Sequence, residues 1–315
     1  MKTLFFPDMH RRMPKAFAKA LESSGYTILL PDSSFEEHIK YWKKWSKDEL
    51  SSNKYLADTT NIDVISYDEL LKKNPDIIVI TCFEVQDDIL KIYDKLNKNK
   101  TKLLHYAGNN YVPYDWDRLN NLVTTDEIIY QKAKLRNKNV LFYLPWVDFE
   151  KDYSFEGTVA SLNVNSYILN YQKYFLEAYR LAKTVEEMLS KNGYKTNFIE
   201  GLDETEIPKA IQDSIATLHI KPIEGYGFSI IESMAKGRPV MLYRPFSDGK
   251  SYRYWSKDLE TCLYFDSIPE LQDKFLKYVE NYSNIQLKCS QKIREIINID
   301  KQNQKLQKFV DELVG

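Results

Sequence analysis

The chain has 315 residues, with 44 Lys and Arg against 45 Asp and Glu and a formal net charge of −1. That length suits two domains of about 100–200 residues each, and 43% hydrophobic with 28% charged residues is the composition of a soluble globular protein, not a disordered one. No apolar run approaches the roughly 18 residues of a bilayer span, and the balanced charge argues against nucleic-acid binding by bulk electrostatics.

In chain order, the first half alternates short apolar runs with helix-like segments. Thr3–Phe6 reads as a strand, Lys15–Ser24 as a helix ending at Gly25, and Thr27–Leu30 as a strand closed by Pro31. Runs at Asp76–Ile80, Lys102–Tyr106, Asn121–Thr124 and Val140–Leu144 follow. Continuous runs of this kind suit strands buried on both faces, hence a parallel sheet in an α/β domain. The second half repeats the pattern, with strands expected at Thr158–Leu162, Thr196–Ile199, Ile215–Ile220, Pro239–Tyr243 and Leu263–Phe265. A long helix is expected over Gln172–Lys191, and helix again from Pro269 to the end. We place the domains at 1–152 and 153–315, with C-terminal helices packing back on the first.

Cys82, Cys262 and Cys289 lie far apart with no C-x-x-C pair, which reads as buried thiols in a reducing compartment. The four-residue apolar stretch before Pro7 is too short for a signal-peptide core, so a cytoplasmic location is expected, peripheral to a membrane at most. Glycine is scarce: ten residues, where an average share of about 7% would give roughly 22. Five of the ten, Gly201, Gly225, Gly227, Gly237 and Gly249, fall within one short stretch of the second half.

That stretch contains HIKPIEGYGFSIIESMAKGRPVML, His219 to Leu242. A strand runs into a turn at Glu224-Gly225-Tyr226-Gly227, a helix starts near Phe228 and stops at Gly237, and a strand begins at Pro239. Glycines in the turn allow close backbone approach to a ligand, and the helix start presents unpaired N–H groups carrying roughly +0.5 charge. This is an anion site in outline. Glu224 lies just outside the helix and Glu232 about a turn inside it, and a carboxylate suits the vicinal diols of a sugar or ribose.

E-G-Y-G-F-S-I-I-E-S-M-A-K-G-R-P-V resembles the E-x7-E signature of retaining GT-B glycosyltransferases of the large family-4 type. The resemblance covers residues 194–245, with a weaker patch at NVLFYLPWVDFEKDYSF. It implies two Rossmann-like domains with parallel sheets facing across a cleft, the acceptor on the N-terminal side and the nucleotide sugar on the C-terminal side. It further implies that Glu224 contacts the hydroxyls of the donor sugar and Glu232 the ribose, while the N–H groups of Gly225, Tyr226, Gly227, Phe228 and Ser229 hold sugar and diphosphate. Base recognition would use the backbone around Gly201–Ile207. Transfer would proceed on one face with retention, the leaving phosphate helping to deprotonate the acceptor, without a metal. No cofactor is expected beyond the co-substrate, a UDP- or GDP-linked sugar.

The sequence departs from the family where an R-x4-K-G arrangement would follow the first strand of the second domain: it reads SLNVNSYILNYQKYF. A diphosphate of about −2 charge needs more than a helix terminus, which makes Lys173, Lys221, Arg244, Lys250 and Arg253 candidate cations. After the first strand, His10 and Arg11 are candidates for contact with donor or acceptor, and His105 with the Tyr106–Asn110 turn ends another strand on that edge. Asp115-Trp116-Asp117 fits a metal-binding D-x-D pattern but lacks the flanking apolar strand; no His, Cys and carboxylate cluster points to a metal. The segment Lys40 to Lys47 (KYWKKWSK) interleaves lysines with aromatics and reads as an amphipathic helix, a membrane-interface patch or a surface for single-stranded nucleic acid. The expected function is transfer of a glycosyl unit to a glycan or lipid-linked acceptor. Transfer to a modified nucleic-acid base and a catalytically silent nucleotide-sugar-binding module stay open beside it.

Overall fold

The computed structural model describes residues 2–7, 12–39, 59–81, 85–108, 112–145, 147–166, 175–199, 201–202, 205–223, 225–248 and 250–315. The chain divides into two α/β units: Met1–Trp146 with Ile299–Gly315, and Val147–Asn298.

In the first unit the apolar runs become β1 (Lys2–Phe5), β2 (Tyr26–Pro31), β3 (Ile62–Ile65), β4 (Ile77–Ile80), β5 (Lys102–Ala107), β6 (Asn121–Thr124) and β7 (Asn139–Phe142). They form one parallel sheet in the order β3-β2-β1-β4-β5-β6-β7. All four residues of β4 are buried, as expected of a central strand covered on both faces. Pro31 does not stop β2; it is the last strand residue and stands in register with Ile65. The helices are α1 (Arg12–Leu21), α2 (Tyr67–Lys73), α3 (Gln86–Tyr93) and α4 (Glu127–Leu135). Helix α1 runs into a 3-10 turn closed by Gly25 at φ 71°. Ser66 and Glu69 form a reciprocal capping box at the start of α2, and Asp126 caps α4 through the N–H of Ile129.

The second unit runs β8 (Asn163–Ser166), α5 (Leu176–Lys191), β9 (Lys195–Phe198), α6 (Ile207–Gln212), β10 (Ala216–Leu218), α7 (Phe228–Ala235), β11 (Val240–Tyr243), α8 (Arg244–Ser247), β12 (Cys262–Phe265), α9 (Ile268–Glu280) and α10 (Tyr282–Ile296). Its five strands are parallel in the order β12-β11-β10-β8-β9. Ala178, Ala182, Val185 and Leu189 place one face of α5 in the core, with Leu271, Phe275 and Tyr278 of α9 beside them.

The strand expected at Thr158–Leu162 is absent, and β8 starts at Asn163 instead. The backbone of Val159 is taken by a side chain: its N–H donates to Gln286 Oε1 at 2.7 Å, and its carbonyl accepts from Gln286 Nε2 at 3.1 Å. Strand β8 holds a buried polar residue, Asn165, whose Nδ2 donates to the carbonyl of Ala210 and to Ser214 Oγ, both at 3.0 Å. Those bonds make burial of an amide tolerable and hide the strand from a reading based on apolar runs.

After α10 the chain returns to the first unit as α11 (Ile299–Val314), which packs on α1. Asp311 accepts from Lys2 Nζ and from Tyr26 Oη, each at 2.8 Å, and the Leu144 N–H donates to Gln302 Oε1 at 3.2 Å. The hydrogen bond from Lys2 holds the Asp311 carboxyl below its ordinary range.

Candidate functional site

In the second sheet β8 lies between β9 and β10, so the chain leaves it to one side and returns on the other. The carboxyl ends of β8 and β10 are therefore the crossover point, where open parallel sheets leave a crevice. Ser166 ends β8 in register with Leu218 of β10, and the next residue, His219, is buried and tied by its N–H to the carbonyl of Met241 at 3.1 Å. The segment from His219 to Gly227 rises from this edge and delivers the chain to α7.

Helix α7 starts at Gly227, whose φ of 74° and ψ of 54° lie in the left-handed region. A side chain is disfavoured there by backbone geometry, and a Cβ would stand 3.0 Å from Ile230 Cδ1 and 3.5 Å from Tyr252 Cδ1. The N-cap residue, a glycine, has no side chain with which to cap the helix. The Gly227 carbonyl accepts from the N–H groups of Ile230 and Ile231 at 3.0 and 3.2 Å, while Ser229 Oγ lies 3.4 Å from His219 Nδ1 instead of turning back to the helix start. The positive end of the helix dipole thus lies near the carboxyl ends of β8 and β10. Glu232 lies one turn further along and is 4% exposed.

Tyr226 and Phe228 seat the turn. The Tyr226 ring meets Phe228 edge to face at 4.9 Å and Trp255 at 5.1 Å, so its side chain is a packing anchor. The opposite end of α7 is closed. Gly237, at φ 74°, has no room for a Cβ, which would fall 2.6 Å from both the Gln286 carbonyl oxygen and the Phe155 ring. Arg238 is fully buried and donates to the carbonyls of Lys236, Gln212 and Gly157 at 2.7, 3.0 and 3.2 Å. Burial lowers the Arg238 pKa from its ordinary value.

Among the candidate cations, Arg244 lies just past β11 with Nε 2.8 Å from Asp266 and a second guanidinium nitrogen 3.6 Å from Glu270; the bond to Asp266 raises its pKa. Arg253 pairs with Asp248 at 2.6 Å. Lys221 is half-buried on the segment leading to the turn. Lys250 is buried and donates from Nζ to the Pro222 carbonyl at 2.7 Å. The structure therefore gathers Gly225 to Ser229, Glu232, Lys221 and Lys250 about one strand end, while Arg244 is committed to carboxylates. Glu224, His10, Arg11, Lys173 and Lys40 to Lys47 lie outside the described residues, as does Cys82; Cys262 and Cys289 are buried thiols.

Two other candidates have different surroundings from those expected of them. His105 lies inside β5 and not at its end; it is 4% exposed, and desolvation lowers its pKa to about 4, so it is neutral at pH 7. Asp115 accepts from Arg118 Nε at 3.2 Å, and Trp116 stacks under the Arg136 guanidinium at 4.9 Å, giving the D-x-D segment surface partners of its own. Among the described residues no helix is long and apolar enough to cross a membrane.

The two parallel sheets and their crossovers define a GT-B α/β architecture, and solved structures of that architecture superpose on the whole chain. Sucrose-phosphate synthase from Thermosynechococcus elongatus is 10% identical with a TM-score of 0.64, covering 99% of each chain. The pneumococcal O-GlcNAc transferase GtfA, solved with UDP and GlcNAc, is 8% identical with a TM-score of 0.60, again over 99% of each chain. The UDP-GlcNAc 2-epimerase from Neisseria meningitidis, solved with UDP-GlcNAc, is 11% identical with a TM-score of 0.60, covering 99% of this chain and 100% of that one. No protein-family model and no curated protein sequence matches the chain. At these identities the likeness is one of fold.

Proposed function

We propose that the chain is a glycosyltransferase that moves a glycosyl unit from a nucleotide-diphosphate sugar, UDP- or GDP-linked, to a glycan or lipid-linked acceptor, with retention and without a metal. The observation that carries the reading is the left-handed glycine start of α7 at Gly227, at the crossover edge of a parallel sheet with Glu232 buried a turn away. In this reading the N–H groups of Gly225 to Ser229 bind the diphosphate, Glu232 the ribose and Glu224 the sugar hydroxyls. Charge grows on the leaving diphosphate as the glycosidic bond lengthens. Fixed N–H donors and a helix terminus stabilise that charge without reorganising. The departing phosphate oxygen, on the same face as the incoming acceptor hydroxyl, takes its proton.

One of the matched folds is a sugar epimerase, so the reaction products must be identified as well as the nucleotide released. UDP-, GDP-, ADP- and TDP-sugars are incubated with the protein in EDTA, with and without glycan and lipid-linked acceptors. Nucleoside diphosphate and a new glycoside are the expected products. Glu224→Ala should lower turnover about 100-fold or more, the scale of losing one hydrogen bond that strengthens in the transition state. An epimerised sugar with no glycoside, or binding without turnover for every acceptor, would sink the transferase reading.

A further inference from the structure

The amino-terminal edge of the first sheet collects positive charge. Its strands are parallel, so the helices between them run back, and α2, α3 and α4 all end at this edge. Lys72 and Lys73 close α2, Lys132 and Lys134 lie in the last turn of α4, and Arg136 and Lys138 follow it. Between α3 and β5 the chain reads KLNKNKTK, Lys95 to Lys102, with four lysines and no acid. Hydrogen bonds join these pieces. Asn97 donates its N–H to Asn74 Oδ1 at 2.8 Å, and Lys100 Nζ reaches the Lys73 carbonyl at 3.3 Å. Asn121 Nδ2 donates to the Leu103 carbonyl at 3.0 Å, and the N–H of Asn139, next to Lys138, donates to the Asn120 carbonyl at 3.0 Å. The adjacent strands β4, β5, β6 and β7 give the edge a width of about 15 Å.

Of these basic side chains only Lys98 has a carboxylate partner among the described residues, Asp94 at 2.7 Å. Asp76 accepts from the N–H and hydroxyl of Thr3 at 2.7 and 3.3 Å, and Asp87 and Asp115 accept from Arg118. Helix dipoles draw cations to C-termini, but that attraction falls off within the last turn. It does not account for Lys100, Lys102 and Lys138, which stand outside the helices. A chain of net charge −1 has thus concentrated positive charge here. One apolar residue stands among these cations. Leu135, between Lys134 and Arg136, is 82% exposed, more than any other large hydrophobic residue described. Cations beside a protruding apolar side chain suit an anionic bilayer, which attracts the charges to its headgroups and takes the side chain into the acyl boundary. A nucleic acid would answer the lysines and leave the leucine in water.

We infer that the amino-terminal edge of the first sheet is a docking surface for an anionic lipid bilayer, with its lysines at the headgroups and Leu135 inserted beside them. Docking of this kind belongs to the first unit alone and does not depend on the reaction proposed for the second.

The test is co-sedimentation of the full chain with phosphatidylcholine vesicles, with and without phosphatidylglycerol, at low and high salt and without nucleotide sugar. Binding to the anionic vesicles only, weakened by salt, is expected. One variant combines Lys100→Gln, Lys102→Gln, Lys134→Gln and Lys138→Gln. A control of equal net charge combines Lys191→Gln, Lys195→Gln, Lys288→Gln and Lys305→Gln, exposed lysines of other surfaces. The edge variant should lose affinity about 100-fold or more, and the control less than about threefold. Leu135→Ser should lower affinity about fivefold, an effect that salt does not screen. Thermal melts accompany every variant. Should the set of four unfold, the Lys134→Gln and Lys138→Gln pair replaces it, with an expected loss of about tenfold. Vesicle binding that survives in the edge variant would overturn the inference, and so would an equal loss in the control. Unchanged binding by Leu135→Ser would overturn the insertion, and with it the choice of a bilayer over another polyanion. Binding of an oligonucleotide but not of anionic vesicles would also overturn it.

Discussion

The two ends of α7 have opposite construction. At the C-terminal end every exposed carbonyl of the last turn is met by the protein itself: Met234 by Cys289 Sγ at 3.6 Å, Ala235 by Ser290 Oγ at 2.8 Å and Arg294 at 2.9 Å, and Lys236 by Arg238 at 2.7 Å. At the N-terminal end a left-handed glycine stands where a capping side chain would be, and Ser229 is turned toward His219. Both ends carry a glycine at φ 74°, yet a Cβ at Gly237 would strike backbone and an aromatic ring, whereas at Gly227 it would meet the movable tip of Ile230. One helix thus separates the two tasks. Its C-terminal end is tied to α10 and the loop before β8, and its N-terminal end starts at a glycine with no capping side chain.

The largest effect should come from Arg238→Met. Removing a buried guanidinium that holds three carbonyls should destabilise the second unit by about 3–5 kcal/mol. Urea unfolding followed by tryptophan fluorescence measures it, and a loss below about 1 kcal/mol would mean that the closed end is not held by Arg238. Gly237→Ala comes next. The left-handed backbone and the overpacking against Gln286 and Phe155 together should cost about 3 kcal/mol in the same assay. Gly227→Ala should be smallest in stability, about 1 kcal/mol from backbone strain alone. Its main effect belongs to binding, where the best nucleoside diphosphate should weaken about tenfold or more as the first-turn N–H groups shift. If Gly227→Ala destabilises as much as Gly237→Ala while binding is kept, the contrast between the two ends is broken.

Much of this architecture is legible in the sequence because buried parallel strands require unbroken apolar runs, as at Ile77–Ile80, and because turns at φ above zero select glycine, as at Gly227 and Gly237. The failures have equally physical origins. Strand β8 is written with asparagine and serine, and only the folded chain supplies the Ala210 and Ser214 partners that permit it. Strand β3 places Asp63 outward, leaving an alternation too short to stand out. At the site, the strand, turn and helix were visible as a pattern, whereas the difference among Arg244, Lys250 and Arg253 was not. Whether a cation lies on the surface beside a carboxylate or is buried against a backbone carbonyl depends on residues distant in sequence, such as Asp266 and Pro222. Tyr226 likewise shows its packing role only once Trp255 is placed against it.

The tie between Lys2 and Asp311 joins residues 309 positions apart, and all of the second unit lies between them. A ribosome therefore delivers residues 147–298, a contiguous folding unit, before it delivers α11. The nascent second unit has everything it needs while β1 and β2 still lack the helix that α1 packs on and that Lys2 and Tyr26 bond to. Domains generally fold as units during synthesis, and closing so long a loop is entropically expensive. The order of synthesis is thus reversed in the order of completion: β1 is made before the second unit and secured after it.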